Sequence, residues 1–502
     1  MFRLFEKINR NEPYFIAEMS ANHGGSLENA LEIVRQAAKA GTDCLKIQTY
    51  TADSLTIDCD KESFQIHGTL WDGYKLYDLY KDAGTPYEWQ ARIKEECDLN
   101  GIDFLSTPFD NAAVDFLEEI GCEAYKIASF ELVDVPLIEY AASKGKPMII
   151  SCGMGSEEEI KDALDACHRM NNNQIVLLKC CSEYPANWDD MHLSNIPDMM
   201  KRFEVPIGLS DHSEGFLAAV VGVSLGACVI EKHVKLDGID SADSAFSMTM
   251  ESYAEMVSQV KAAKRIIGKV QYGPTEGEKS LTPFRRSLFA VKDIRKGEAF
   301  SAQNVRSIRP SYGIKPKFFS EIEGKTALQD VSFGTPITSA IVKLVPKLIT
   351  ERLILKEITE ADAKDIISLR NQEDVYRYFV HPHEITMDEH LKWFHESYQN
   401  NPNRFDWMAF EKDGSVVGCF HLSKEDDVSV EVSYLVSPKY YGKGYAKEAT
   451  MKLLHFAKEA LLSTKAIAVI HQDNVKSINF IQKLDFVKES ESGKFITYKR
   501  EL

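Results

Sequence analysis

The sequence predicts an α/β protein whose first 270 residues form a (β/α)8 TIM barrel, and three observations predict it. Short apolar strands alternate with amphipathic stretches such as SLENALEIVRQAAKAG. Eight such strands fall within about 250 residues, the size of a barrel of eight βα units. No glycine-rich dinucleotide turn follows the first strand, which sets a doubly wound open sheet behind the barrel.

The candidate strands are FIAEMS (15–20), CLKIQTY (44–50), DFLSTPF (103–109), AYKIAS (124–129), PMIISCG (147–153), QIVLLKCC (174–181), VPIGLS (205–210) and CVIEKHV (228–234). The last two flank FLAAVVGVSLGA, which reads as a buried helix. A strand–helix–strand unit makes its strands parallel neighbours, so their C-terminal ends open on one side.

Barrels carry their chemistry at those ends. In chain order the ends present Glu18, then Lys46 and Gln48, Thr107, Lys126 and Ser129, Ser151, Ser182 and Tyr184, Ser210 and His212, and His233. Lys46 and Lys126 alternate with apolar neighbours inside strands, so each must face the barrel mouth or be paired there. Two ammonium groups ringed by hydroxyls suit a small dianion, a phosphate or carboxylate. Two imidazoles converging on one face suit a divalent ion with open coordination positions. Glu18 adds a carboxylate for acid–base chemistry.

A net charge of −17 argues against general nucleic-acid or anionic-membrane binding. The longest apolar run, Phe216–Ile230, is too short and too glycine-interrupted to span a bilayer. MFRLFEKINRNEP lacks the apolar core of a secretion signal. Ten cysteines without a CxxC pair fit reduced thiols rather than a disulfide framework. The expectation is a soluble, cytoplasmic protein that binds neither nucleic acid nor membrane.

Beyond the barrel, the proline- and glycine-bearing YGPTEGEKSLTPFRRS marks a linker over 271–285. Residues 286–347 read as short strands and tight turns in a small fold. Residues 350–502 start a new pattern: an extended ERLILKEI run, a helix start signalled by Thr359 and Asp362, and a hairpin about Asp413-Gly414. A later strand runs through KYYGKGY into an amphipathic helix. Glycines there let backbone N–H groups at a helix N-terminus approach a pyrophosphate.

AEMSANHGG, KIQTYTADSLTID, GTLWDGYKLYDLY, STPFD, YKIASFEL, SCGMG, GLSDHS, VIEKHVKLD and DSAFS resemble, segment by segment, the sialic-acid synthase family over residues 14–345. LWDGYKLYDLY and DSAFS look like its pseudaminic branch. The resemblance implies condensation of phosphoenolpyruvate with an open-chain acetamido sugar, 2,4-diacetamido-2,4,6-trideoxy-L-altrose for that branch. Phosphate would leave by C–O cleavage, with Mn2+ or Mg2+ required. On this resemblance His212 and His233 are the metal ligands. Lys46, Thr107, Lys126, Ser129, Ser151 and Ser210 hold the carboxylate and phosphate of phosphoenolpyruvate. Glu18 handles protons or orients the sugar, Gln48, Tyr184 and Asp243 line the sugar side, and Ser182 joins the substrate-binding set. SEYP departs from the family's usual Asn before Tyr and puts Glu183 there, so an altered phosphate contact is expected. Residues 286–347 resemble the small antifreeze-like (SAF) domain of the same family, which reaches over a partner's barrel in a domain-swapped homodimer. Arg309 matches the arginine that contacts the sugar's acylamino group.

Residues 350–502 resemble the GNAT N-acetyltransferase superfamily. KYYGKGY matches its acetyl-CoA pyrophosphate loop and gives Lys439, Tyr441, Gly442, Lys443, Gly444 and Tyr445 as cofactor-binding residues. Asn474 and Ser477 match cofactor-side positions of the later helix. Ile481 stands where many relatives carry a tyrosine general acid, and Asp485 where KLGF carries glycine. The proton-transfer group is thereby unassigned, with Glu431 as a candidate base. The two halves together imply a bifunctional enzyme of nonulosonic acid biosynthesis whose C-terminal domain acetylates a nucleotide-linked 4-amino sugar. The alternatives are a legionaminic- or neuraminic-type synthase joined to a transferase of protein amines, and a non-catalytic sugar-binding barrel serving the acetyltransferase.

Overall fold

In a computed structural model, which describes residues 2–68, 71–399 and 401–502, all eight expected strands form within two residues of their predicted places. They are β1 (Tyr14–Glu18), β2 (Cys44–Thr49), β3 (Asp103–Pro108), β4 (Tyr125–Ile127), β5 (Met148–Ser151), β6 (Ile175–Cys180), β7 (Ile207–Asp211) and β8 (Val229–Lys235). Thr69 and Leu70 of the GTLWDGYKLYDLY motif lie outside the described residues. The strands pair in parallel in chain order, and β1 closes on β8 from Tyr14↔Val229 to Glu18↔His233. Closure removes the free edges that an open sheet must protect. A two-residue strand, β9 (Met248–Thr249), extends β8 on its far side.

The barrel interior changes character along the strands. Tyr14, Ile16, Cys44, Leu105, Ile149, Leu178 and Val229 form one apolar layer, packed against Phe2, Leu4, Phe5 and Ile8 at the N-terminus. Side chains two residues apart share a face of a strand. One pleat further on, therefore, the same interior presents Glu18, Lys46, Thr107, Ser151 and Glu231, all buried. The apolar layer floors the barrel, and the polar layer above it is the site. The FLAAVVGVSLGA helix forms over Leu217–Ser224, but it is not buried all round: Leu217 is 54% and Val221 39% exposed.

The chain divides into two units, Met1–Gln271 and Tyr272–Leu502. The second begins with two short helical turns, Glu276–Lys279 and Thr282–Phe284. Next comes the small domain, with antiparallel β10 (Ser287–Ala290) and β11 (Val305–Ile308). The remaining strands are β12 (Leu348–Ile349), β13 (Leu353–Glu357), β14 (Arg404–Glu411), β15 (Val416–Lys424), β16 (Ser429–Val436), β17 (Lys465–His471), β18 (Val487–Ser492) and β19 (Phe495–Glu501). They form one sheet in the order β12-β13-β14-β15-β16-β17-β19-β18. The break expected between 347 and 350 is not a break in packing. Leu288, Val305, Ile314 and Val345 share a continuous apolar core with Trp407, Leu453 and Phe456. Trp407 Nε1 also donates to the Pro346 carbonyl at 2.8 Å. Among the described residues no helix is long and apolar enough to cross a membrane.

Candidate functional site

The polar layer of the barrel is a chain of buried charges. Glu18 ends β1 in register between Lys46 on one side and His233 on the other. Lys46 Nζ lies 3.2 Å from Glu18 Oε2 and 3.1 Å from Glu231 Oε1. Glu231 also accepts from Ser210 Oγ at 2.9 Å and sits 3.8 Å from Lys126 Nζ. Lys126 donates to Ser151 Oγ at 2.6 Å. Gln48 Nε2 donates to Glu18 Oε1 and to Ser20 Oγ, both at 3.0 Å. Gly153 accepts no side chain here: an added Cβ would lie 2.2 Å from Ser182 Oγ and 2.7 Å from Ser129 Oγ. Its backbone N–H donates to Ser129.

Charge sets the protonation of this layer. Burial works to raise the Glu231 carboxyl, yet Lys126 and Lys46, with the Ser210 hydroxyl, hold it at about 2. Burial wins at Glu18, whose carboxyl is raised although Lys46 opposes the rise. Burial also lowers the Lys126 ammonium, with the Glu231 charge opposing. The layer thus holds one firmly ionised carboxylate and one that protonates more readily.

The two histidines stand together. Their ring centroids are 5.3 Å apart, and Tyr184 packs on both, 4.4 Å from His212 and 6.4 Å from His233. Phe246 closes the far side at 5.0 Å from His233. His212 Nδ1 meets the Cys181 carbonyl at 2.9 Å, which leaves Nε2 as the free lone pair. Burial, with His212 and Lys46 nearby, pushes the His233 imidazole well down, so it rests neutral. Buried His233 Nδ1 has no protein partner, nor do Thr107 Oγ1 and Glu231 Oε2. Unsatisfied buried polar atoms are unfavourable unless a ligand meets them. The residues therefore fit a divalent ion held by two imidazoles. Among the described residues no group of three or more His, Cys, Asp and Glu side chains stands together as a ligand set.

The structure brings together Glu18, Lys46, Gln48, Thr107, Lys126, Ser129, Ser151, Ser182, Tyr184, Ser210, His212 and His233 at one end of the barrel. Asp243, from the loop after β8, joins them through Ala21 N at 3.5 Å, and burial raises its carboxyl. Glu183 does not enter: it is exposed, and its carboxylate accepts from Asn187 N. Arg309 is exposed and lies in the other unit, following β11. Glu231 was missed by reading only strand ends. It shares a face with His233 two residues on, the same pattern that marked Lys46. Asp211 and Lys232, which flank the histidines in sequence, pair with each other at 2.9 Å and are fully buried.

In the second unit a cavity of about 1090 Å3 is lined by Tyr441, Gly442, Gly444, Asn474 and Ser477. Gly442 and Gly444 have φ of 75° and 84°, left-handed values that glycine adopts freely. Gly444 caps the helix Tyr445–Ala460, and Asn474 Oδ1 accepts from Ser477 N to cap the next. Three predicted cofactor residues do not line the cavity. Lys439 and Lys443 lie over the Tyr440 ring at 5.0 and 5.6 Å. Tyr445 is turned away: its hydroxyl donates to Glu411, and the Arg352 guanidinium stacks on its ring at 4.2 Å. Glu431, the candidate base, is not among the lining residues either. Asp406, His421 and Ser433, which the sequence reading passed over, are.

Residues 33–272 match the NeuB family, 285–342 the SAF domain and 352–487 the acetyltransferase (GNAT) domain. A pseudaminic acid synthase of Campylobacter jejuni is 48% identical over 322 residues, covering 64% of this chain and 94% of that protein. The Helicobacter pylori pseudaminic acid synthase is 40% identical over 331 residues, covering 65% and 97%. A crystal structure of a spore coat polysaccharide biosynthesis protein E from Chromobacterium violaceum, 27% identical, superposes with a TM-score of 0.54 over 66% of this chain and 99% of that one. The chain is thus an enzyme that belongs to the NeuB family, with a SAF domain and a GNAT acetyltransferase domain on the same polypeptide.

Proposed function

We propose that the barrel condenses phosphoenolpyruvate with 2,4-diacetamido-2,4,6-trideoxy-L-altrose to give pseudaminic acid and phosphate. One observation carries the reading: two buried ammonium groups and two imidazoles share one mouth, with Glu18 between them. The carboxylate and phosphate of phosphoenolpyruvate settle on Lys46 and Lys126, with Thr107, Ser129, Ser151 and Ser210 donating. A divalent ion, Mn2+ or Mg2+, held by His212 and His233 supplies electrophilic activation of the sugar aldehyde when bound. Carbon 3 of phosphoenolpyruvate bonds to the aldehyde carbon, water adds at carbon 2, and the C–O bond to phosphate breaks. Lys46 and Lys126 stabilise the charge that gathers on the leaving phosphate. Glu18, raised by burial, exchanges a proton with the new hydroxyl or the incoming water. Gln48, Ser182, Tyr184 and Asp243 line the sugar side, and Arg309 reaches the barrel of a second copy in a domain-swapped homodimer.

The C-terminal domain, in this reading, uses acetyl-CoA to acetylate a nucleotide-linked 4-amino sugar, an earlier precursor of the same acid. Gly442 and Gly444 admit the pyrophosphate, with Tyr441, Asn474 and Ser477 around it. The enzyme serves surface-glycan synthesis from the cytoplasm. The test is phosphate release from phosphoenolpyruvate by the full chain, with and without the diacetamido sugar, Mn2+ and EDTA. Release that needs both sugar and metal is expected. Release indifferent to either contradicts the reading.

A further inference from the structure

Three neighbouring strands of the acetyltransferase sheet carry a transverse row of polar side chains. Asp406 on β14 is the register partner of His421 on β15, and His421 that of Ser433 on β16. All three line the cavity. They lie on the face that carries Met408 and Cys419, where apolar packing is otherwise the rule. Polar groups placed there need partners or a task. Ser433 Oγ lies 2.8 Å from Nδ1 and 2.6 Å from Nε2 of His421, so the hydroxyl reaches the imidazole. Arg404 Nε is 3.2 Å from both oxygens of Asp406 and fixes that carboxylate in place. Burial, with Arg404 nearby, holds the imidazole down at about 3, so His421 rests neutral.

Ser433 stands where the sheet opens. The β16–β17 ladder runs from Ser429↔Lys465 to Glu431↔Ile467 and stops, while both strands continue, to Val436 and His471. The parted strands expose backbone N–H and C=O groups that an amide-bearing chain can pair with. The same cavity takes in Gly442 and Gly444 at the helix N-terminus. The glycine turn and the Ser433 hydroxyl thus open on one cavity.

We infer that Ser433 and His421, backed by Asp406, form the proton relay of acetyl transfer, an assignment that rests on the acetyltransferase reading above. The amine nitrogen bonds to the thioester carbonyl carbon, and the C–S bond breaks. The proton given up by nitrogen passes to Ser433 Oγ as the hydroxyl's own proton moves to His421. Asp406, one strand away, offsets the imidazolium charge. The proton then returns to the departing sulfur, leaving the N-acetyl amine and free CoA thiol.

The full chain and its Ser433→Ala, Ser433→Thr and His421→Gln variants are assayed for CoA thiol release against enzyme-free blanks. Two probes are used: a nucleotide-linked 4-amino sugar, and hydroxylamine, a small amine that makes no demand on an acceptor pocket. The relay predicts that S433A and H421Q lower kcat by about 100-fold or more, with KM for acetyl-CoA and the melting transition unchanged. S433T, which keeps the hydroxyl, retains most of the rate. Turnover of hydroxylamine alone removes the sugar acceptor but still tests the relay. The relay is overturned if kcat for both S433A and H421Q stays within about threefold of native, or if their losses appear only in KM. Absence of turnover with both probes overturns relay and acetyltransferase reading together.

Discussion

Lys46 on β2 reaches past β1 to Glu231 on β8, Nζ to Oε1 at 3.1 Å, and their side chains are 6% and 3% exposed. Glu231 is also within reach of Lys126, so one carboxylate balances two ammonium groups when no anion is bound. Such a pair is not stabilising merely by being buried, since desolvation offsets much of the attraction. Breaking it is another matter, because it leaves buried charge uncompensated.

Glu231→Gln is therefore expected to lower stability by about 3–5 kcal/mol at neutral pH. Added phosphoenolpyruvate or phosphate should recover part of the loss by taking over the lysines. The folded carboxyl is held at about 2, below the value near 4.3 of an unfolded glutamate. Its stabilisation is thus complete above about pH 4.3 and is lost as pH falls towards 2. Urea unfolding at neutral and acid pH should show the gap between native and variant narrowing on acidification. A gap independent of pH would remove Glu231 from this role.

His233→Ala removes one of two imidazoles and leaves His212 alone. Calorimetric titration with Mn2+ should then show affinity lower by more than about tenfold. EDTA should silence the native enzyme and excess Mn2+ restore it. Mn2+ binding equal to native in the variant would place the ion elsewhere.

Gly444→Ala puts a side chain at φ +84°, with its Cβ 3.3 Å from Arg352 Nη2. A left-handed conformation costs a non-glycine residue about 1–2 kcal/mol. Relaxation of that turn should raise KM for acetyl-CoA, while phosphate release by the barrel, in the other unit, stays as it was. An unchanged KM would detach the turn from cofactor binding.

Because Trp407 bridges to Pro346, cutting the chain at 350 severs a shared core. Residues 272–502 should melt as one cooperative unit, and 350–502 should melt lower or aggregate. Trp407→Phe leaves the Pro346 carbonyl without its donor, a loss of about 1–3 kcal/mol. A 350–502 fragment as stable as 272–502 would show that the two domains fold independently.

The barrel was legible in the sequence because eight apolar strands recur with helices between them, and because a charged residue inside such a strand must face the mouth or be paired. Lys46 and Lys126 announced themselves this way, and His233 by its place at a strand end. Glu231 obeys the same alternation, yet it precedes His233 by two positions and was hidden by attention to strand ends. The shared core of the small domain and the β14–β15 hairpin was not legible, since no local pattern records that Val345 and Trp407 meet. The acetyltransferase loop was visible through Gly442 and Gly444. Which neighbouring side chains face the cavity was not, and Tyr445 turned to Glu411 instead. The row of Asp406, His421 and Ser433 depends on strand register across two hairpins, information that exists only once the sheet has formed.

The most direct measurement uses phosphoenolpyruvate carrying 18O in its bridging position, the full chain, Mn2+ and the diacetamido sugar. The heavy oxygen is expected to leave with phosphate, and His233→Ala to release none. Unlabelled phosphate, or label released equally well by the variant, would contradict that expectation.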